Sequence, residues 1–349
     1  MTTFACPKLM VHGPCGGVGG DGSCEVADEP CVFLDQPVVP FLPCAAAPQL
    51  AAVAASVTGA QQAPGMQMRQ LLQRGRAVVS DFPAAALDVR SIAASAAILH
   101  GTVDAVLAGD APRNRVQFSP SYRASLIRDA GLAAWAGINC RDRNRVAIEG
   151  ELAGLAHVGV AGVHCVTGDH PALGSRPDAA AVFDLDSTEV AALARSAGLL
   201  VSVAESPATP PTAQRSARLV EKVKAGAEVC YVNHCGGPSP VGEFITAVRR
   251  LGVDPWFLAC VPVVVNRASA ELLASFPSMV LPPGFLERIL TAADPRSAGI
   301  DATVELAEAM LAVPGVAGVN LSGGGAPGEE LAFAADLAEI GARLRSSRG

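Results

Sequence analysis

From Ala77 onward the chain alternates between short, β-rich apolar runs and longer Ala/Leu/Arg-rich stretches with helical spacing. The β-rich runs cover residues 77–82, 103–108, 133–140, 160–167, 199–204, 228–233, 256–263 and 316–322. Apolar positions recur at helical intervals over 145–156, 187–196, 211–224 and 302–311, which predicts helices there. Asp186-Ser187-Thr188-Glu189 supplies a cap and an acidic first turn, and Gly131, Gly198, Gly226 and Gly252 stand where helices should stop. Eight strands alternating with helices over about 270 residues predict a (β/α)8 barrel. An open doubly wound sheet is the competing arrangement, but no GxGxxG follows the first strand.

The first 44 residues break this pattern: they are rich in Cys, Gly and Pro and carry neither a helical nor a strand period. An alanine-rich connector follows, then a polar stretch, 61–76, with the makings of a short helix. The chain therefore divides into a cysteine-rich module with its connector, 1–70, and a barrel, 71–349. A segment so short and irregular needs a staple to fold. Five of the ten cysteines lie in the first 44 residues. Cys6, Cys15, Cys24 and Cys31 are separated by eight, eight and six residues, with no CxxC knuckle, so spacing leaves zinc and a [4Fe–4S] cluster equally open. Cys44, next to Pro43, is a substitute for one of the four. Cys140, Cys165, Cys230, Cys235 and Cys260 read as small hydrophobes at or near strands.

Composition narrows the function classes. Half the residues are apolar and 17% are charged, enough for a large core and incompatible with disorder. The 26 Lys and Arg against 33 Asp and Glu give a net charge of −7, with no basic run of the kind that nucleic acid or an anionic membrane needs. No apolar run reaches bilayer length, and the N-terminus lacks a basic-then-apolar signal pattern. A cytoplasmic protein with free thiols is the expectation. Only three cations are lysines (Lys8, Lys222 and Lys224), so a lysine near a site would stand out.

A barrel carries its chemistry at the C-terminal ends of its strands. Polar residues gather there: Asp81, Asp110, the run Asn139-Cys140-Arg141-Asp142-Arg143-Asn144, Thr167-Gly168-Asp169-His170-Pro171, Glu205, Asn233-His234-Cys235 and Ser322-Gly323-Gly324-Gly325. The glycine triplet after the last strand is a candidate anion grip.

The runs at 139–144 and 167–171, followed by Val182-Phe183-Asp184-Leu185-Asp186-Ser187 and Lys222-Val223-Lys224-Ala225-Gly226-Ala227, resemble the methylenetetrahydrofolate reductases. Cys6-Pro7-Lys8, Gly13-Pro14-Cys15-Gly16-Gly17 and Gly22-Ser23-Cys24-Glu25-Val26 are similar to a module fused or partnered to such enzymes in bacteria. The resemblance implies a flavin (FAD or FMN) that passes hydride from a reduced nicotinamide to the methylene group of methylenetetrahydrofolate. It implies Asp81 as the acid that opens the folate ring, and Asp169 as a carboxylate set against pterin and flavin. By the same resemblance Lys222 reaches the cofactor, while Asp110, Arg141, Asp142, Arg143 and Asn144 surround it or brace its loops. Asn233 stands for a glutamine that bonds the pterin, with His234 beside it. Cys6, Cys15, Cys24 and Cys31 tilt toward iron–sulfur. Two other readings remain: a flavin-free, tetrahydrofolate-dependent methyltransferase or demethylase component, and a non-catalytic subunit relaying electrons to a reductase. A homo-oligomer, or a partner docked through the cysteine-rich module, is left open.

Overall fold

The computed structural model describes residues 5–43, 47–109, 116–276 and 279–347; Cys44 and Asp110 lie outside the described residues. Eight strands form a closed, all-parallel barrel in chain order. They are β1 Ala77–Asp81, β2 Ala105–Ala108, β3 Ala134–Asn139, β4 Gly162–Val166, β5 Val201–Glu205, β6 Val229–Val232, β7 Trp256–Pro262 and β8 Val316–Ser322. The barrel closes between β1 and β8, where Val79 is level with Asn320.

Alternation within each strand divides the apolar residues into two cores. Val78, Val106, Ile138, Val163, Val203, Val261 and Val319 face outward, under the ring of helices. Val79, Ala105, Trp135, Leu200, Val229, Tyr231, Leu258 and Cys260 face the axis. The helix Gly59–Arg74 closes the floor, sending buried Met68 and Leu72 into the axial core. Each such side chain contributes about 1.5–3 kcal/mol by leaving water. A capping box at Thr58 and Gln61 starts that helix by satisfying two of its end N–H groups. Higher up, a Cβ on Gly162 would strike the Trp135 indole, so only glycine on β4 lets that ring fill the axis.

Among the described residues before Ala47 there is no helix or strand, only isolated antiparallel bridges at Val18–Cys24 and Ser23–Pro30. The alanine-rich connector differs from its sequence reading: Pro48–Ser56 is a helix packed on the helices Arg145–Val158 and Ser187–Ser196. No helix among the described residues is long and apolar enough to cross a membrane.

Candidate functional site: the barrel mouth and the cysteine-rich seam

At the C-terminal ends of the strands the axis-facing residues regain contact with solvent: Asp81, Gly109, Val166, Ala204, Asn233 and Ser322 are all half-buried. They line a mouth with two unlike halves. On the β6–β1 side the lining is polar. Asn320 Nδ2 donates to Asp81 Oδ1 at 3.0 Å, and the Gly323 N–H donates to Oδ2 at 3.0 Å. Burial raises the Asp81 pKa above the usual carboxylate range, and the hydrogen bonds from Asn320, Gly323 and Ser322 only partly offset it. Gly323, from the triplet expected to grip an anion, thus spends its N–H on Asp81. Beside this pair, Asn320 Oδ1 and the Tyr231 hydroxyl are sealed from water, with no hydrogen-bond partner among the described residues. Leaving such groups unpaired costs about 1–3 kcal/mol each. Burial likewise pushes the Cys260 thiol far up, keeping it neutral between Asp81 and Asn233.

On the β2–β5 side the lining is less polar. Gly109, Val166 and Ala204 offer backbone and small apolar surface, while Asn139 at the tip of β3 is buried and accepts from the Arg141 N–H. A Cβ on Gly109 would meet no described atom within 4 Å, whereas one on Gly137 would come within 2.7 Å of the Gly109 Cα. A slot with one polar and one less polar wall accepts a flat heteroaromatic ring with hydrogen-bonding groups on one edge.

A second polar cluster lies outside the barrel wall, between β5 and the helix Arg215–Ala225. Glu205 points outward, pairing with Lys222 Nζ at 2.8 Å and Arg215 Nη1 at 3.3 Å. Lys222 also donates to the Ala204 carbonyl at 2.6 Å. Burial opposes ionisation of Glu205, but Lys222, Arg215 and Arg218 prevail and hold its carboxyl below the usual range. Further along, Arg218 reaches Thr188 Oγ1 at 2.5 Å and Asp186 at 3.5 Å. Asp186 is held low by Arg218 and His12 despite its burial.

The cysteine-rich segment docks on this cluster. Arg215 donates to the Cys15 carbonyl at 2.9 Å, the His12 N–H donates to Asp186 at 3.3 Å, and the Phe41 N–H donates to Glu221 at 2.7 Å. A Cβ on Gly16 would lie 3.3 Å from Ser206 Oγ, which accepts from Asn233 Nδ2 at 2.9 Å. The loop carrying Cys15 therefore abuts the β5–β6 side of the mouth. Cys6, Cys15, Cys24 and Cys31 line one small cleft of about 20 Å³, together with Lys8 and Glu25. Burial raises the Cys15 thiol, with Lys8 pulling it back. Lys8 itself is held high against its burial by Cys15 and Glu25, the latter its ion-pair partner. Among the described residues no three His, Cys, Asp or Glu side chains converge as a single metal ion requires.

The residues named from the sequence fall into different places. Asp81 and Asn233 line the mouth. Lys222 is locked outside the barrel wall on Glu205. Asp169 is exposed on the rim, where its charge acts on Lys8. Asn144 caps the Arg145–Val158 helix by accepting from the Ala147 N–H at 3.1 Å. Arg141 and Arg143 both pair with Asp142, at 3.0 and 2.6 Å. His234 is buried, its pKa lowered to about 4 by burial, with Nε2 unpartnered among the described residues. Asp110 is not among the described residues. Three groups went unnamed: Asn320, Tyr231 and His164. Two of them carried a signal, a polar ring in an otherwise apolar strand (Gly162-Val163-His164-Cys165-Val166 and Val229-Cys230-Tyr231-Val232).

Residues 2–36 match a family described as methylene-tetrahydrofolate reductase C terminal. Among solved structures, the fold is similar to an uncharacterised Clostridium thermocellum protein described as binding two copies of 5-methyl-5,6,7,8-tetrahydrofolic acid. That pair is 12% identical with a TM-score of 0.53, covering 78% of this chain and 99% of that one. A weaker likeness, TM-score 0.49 at 16% identity over 83% of this chain and all of the other, is to tryptophan synthase from M. tuberculosis. No curated protein matches.

Proposed function

We propose that the barrel binds a tetrahydrofolate derivative in its mouth and acts in one-carbon chemistry, with a metal cluster in the fused cysteine-rich module. The observation that carries this reading is Asp81: a half-buried carboxyl of raised pKa, at the polar edge of a slot whose other wall is less polar. A carboxyl that burial makes hold its proton more tightly than usual suits donation to a ring nitrogen of a bound pterin. The neighbour that binds 5-methyltetrahydrofolate and the reductase-related match of the cysteine segment support the same substrate class.

The residues expected around a flavin do not gather at one cleft. Lys222 is consumed by Glu205, Asn144 by its helix and Arg141 by Asp142, while Asp169 lies on the exposed rim. Flavin-mediated reduction is thus the less supported reading, and folate-dependent methyl transfer or demethylation without flavin the better supported one. Four thiols lining one cleft are a donor set for zinc or for an iron–sulfur cluster, and the cluster is preferred here because the segment matches a reductase-related family. Cys6, Cys15, Cys24 and Cys31 would hold the cluster, which when bound would supply one-electron chemistry.

The test is calorimetric titration of 5-methyltetrahydrofolate into anaerobically purified protein, with iron, zinc and flavin counted on the same sample. Saturable binding, weakened about tenfold to a hundredfold by Asp81→Asn, is expected. Absence of binding would remove the folate reading. A bound flavin bleached by reduced nicotinamide and restored by methylenetetrahydrofolate would return the reductase one.

A further inference from the structure

Beneath the mouth, on β4, His164 faces the barrel axis. Its register neighbours are Gly137 on β3, which has no side chain, and Ser202 on β5. The Ser202 hydroxyl bears on the state of the imidazole. It lies 3.2 Å from the Val163 carbonyl, to which it can donate its one proton. It accepts at 2.9 Å from Trp135 Nε1, which can only donate. His164 Nδ1 lies 2.9 Å from the same oxygen, and the tautomer with Nδ1 protonated is the one that satisfies all three contacts at once. Burial and the Lys222 charge lower the His164 pKa to about 3, so the ring is neutral. Its other nitrogen, Nε2, is then a bare lone pair. Nε2 has no partner among the described residues. The Tyr231 ring packs against the imidazole at 4.6 Å between centroids and prevents it from turning away.

A serine and a tryptophan held in register to present one nitrogen lone pair toward a slot are an arrangement for receiving an N–H. We propose that His164 Nε2 accepts a hydrogen bond from a ring N–H or amino group of the pterin, making His164 a ligand-binding residue on the slot's floor. This rests on the folate reading above and deepens it. The carboxyl of Asp81 and the imidazole of His164 then meet the ring from different strands.

Two substitutions separate binding from architecture. In His164→Asn the amide can reproduce the Nδ1 bond to Ser202 but has nothing at Nε2; in His164→Gln the amide oxygen can reach the Nε2 position. With 5-methyltetrahydrofolate as probe and the full chain, His164→Asn should weaken binding at least tenfold and His164→Gln should recover most of it. In ¹⁵N-histidine-labelled wild type, Nε2 should resonate as an unprotonated ring nitrogen and shift on saturation with the probe. If the probe binds wild type while His164→Asn binds equally well, or if Nε2 is protonated or does not move, the inference falls and the folate reading stands. If wild type binds no folate, the folate reading falls and this inference with it.

Discussion

The seam and the mouth bury the same kinds of groups to opposite ends. At the seam, Glu205 meets Lys222 and Arg215, and Asp186 meets Arg218, so each carboxylate is held below its usual pKa. At the mouth, Asp81 has only neutral donors and its pKa is raised, and Asn320 Oδ1 and Tyr231 Oη have no partner among the described residues. Carboxylates matched by cations within the chain hold parts together, even though Arg218 Nε at the seam is itself unpartnered among the described residues. A carboxyl met only by neutral donors holds its proton more tightly, which is what proton donation to a ligand needs. The residues in which a cofactor site was expected from sequence fall largely in the first kind.

The most severe way to break this contrast is to open the seam. Glu205→Ala would leave Lys222 and Arg215 as buried cations without a carboxylate, at a cost of about 3–5 kcal/mol. Urea denaturation should register that loss, and because Arg215 also holds the Cys15 carbonyl, metal content should fall with it. A loss below about 1 kcal/mol would mean that the seam behaves as a solvated surface pair, and the contrast would be lost.

Acid titration sharpens the comparison through opposite signs. Glu205 has a lowered folded pKa, so its stabilisation is present above the unfolded value of about 4.3 and is lost as pH falls through the folded value. Asp81 has a raised folded pKa, so its contribution is present below about 3.9 and is lost as pH rises through the folded value. Relative to wild type, Asp81→Asn should therefore gain stability as pH rises, while the deficit of Glu205→Gln should shrink as pH falls. Urea midpoints from about pH 3 to about pH 8 measure both slopes. Parallel slopes would show that the two carboxyls share one environment.

Much of this was legible in the chain. The strand predicted at 316–322 and the helix at 187–196 coincide with Val316–Ser322 and Ser187–Ser196, and the glycine stops at Gly131, Gly198, Gly226 and Gly252 all have positive φ. Pro48–Ser56 was not legible as a helix, because a run of alanines has no polar face to set a period; it forms against neighbouring helices. Within the site, strand ends were readable but strand phase was not. A parallel strand is buried on both faces, so Val201–Glu205 gives no sign of which residues face the axis. That is why Glu205 reads as a rim residue yet lies outside the wall. His164 and Tyr231 are the reverse case, axial groups hidden inside apolar runs.

The mouth's less polar wall can be probed with one methyl group at a time, and here the expected effects are smallest and most discriminating. At Gly137 a Cβ would come within 2.7 Å of backbone at Gly109, which cannot yield cheaply, so Gly137→Ala should lose about 1–3 kcal/mol of stability. At Gly109 the same Cβ would meet no described atom within 4 Å, and Gly109→Ala should stay within about 0.5 kcal/mol of wild type. Its methyl would nevertheless project into the slot, so 5-methyltetrahydrofolate should bind more weakly to a protein whose urea midpoint has not moved. That dissociation of affinity from stability is what an open ligand slot demands and a packed interior forbids. If Gly109→Ala bound the probe as wild type does, the ring would not lie over β2, and the apolar half of the mouth would have to be sought nearer Val166 and Ala204.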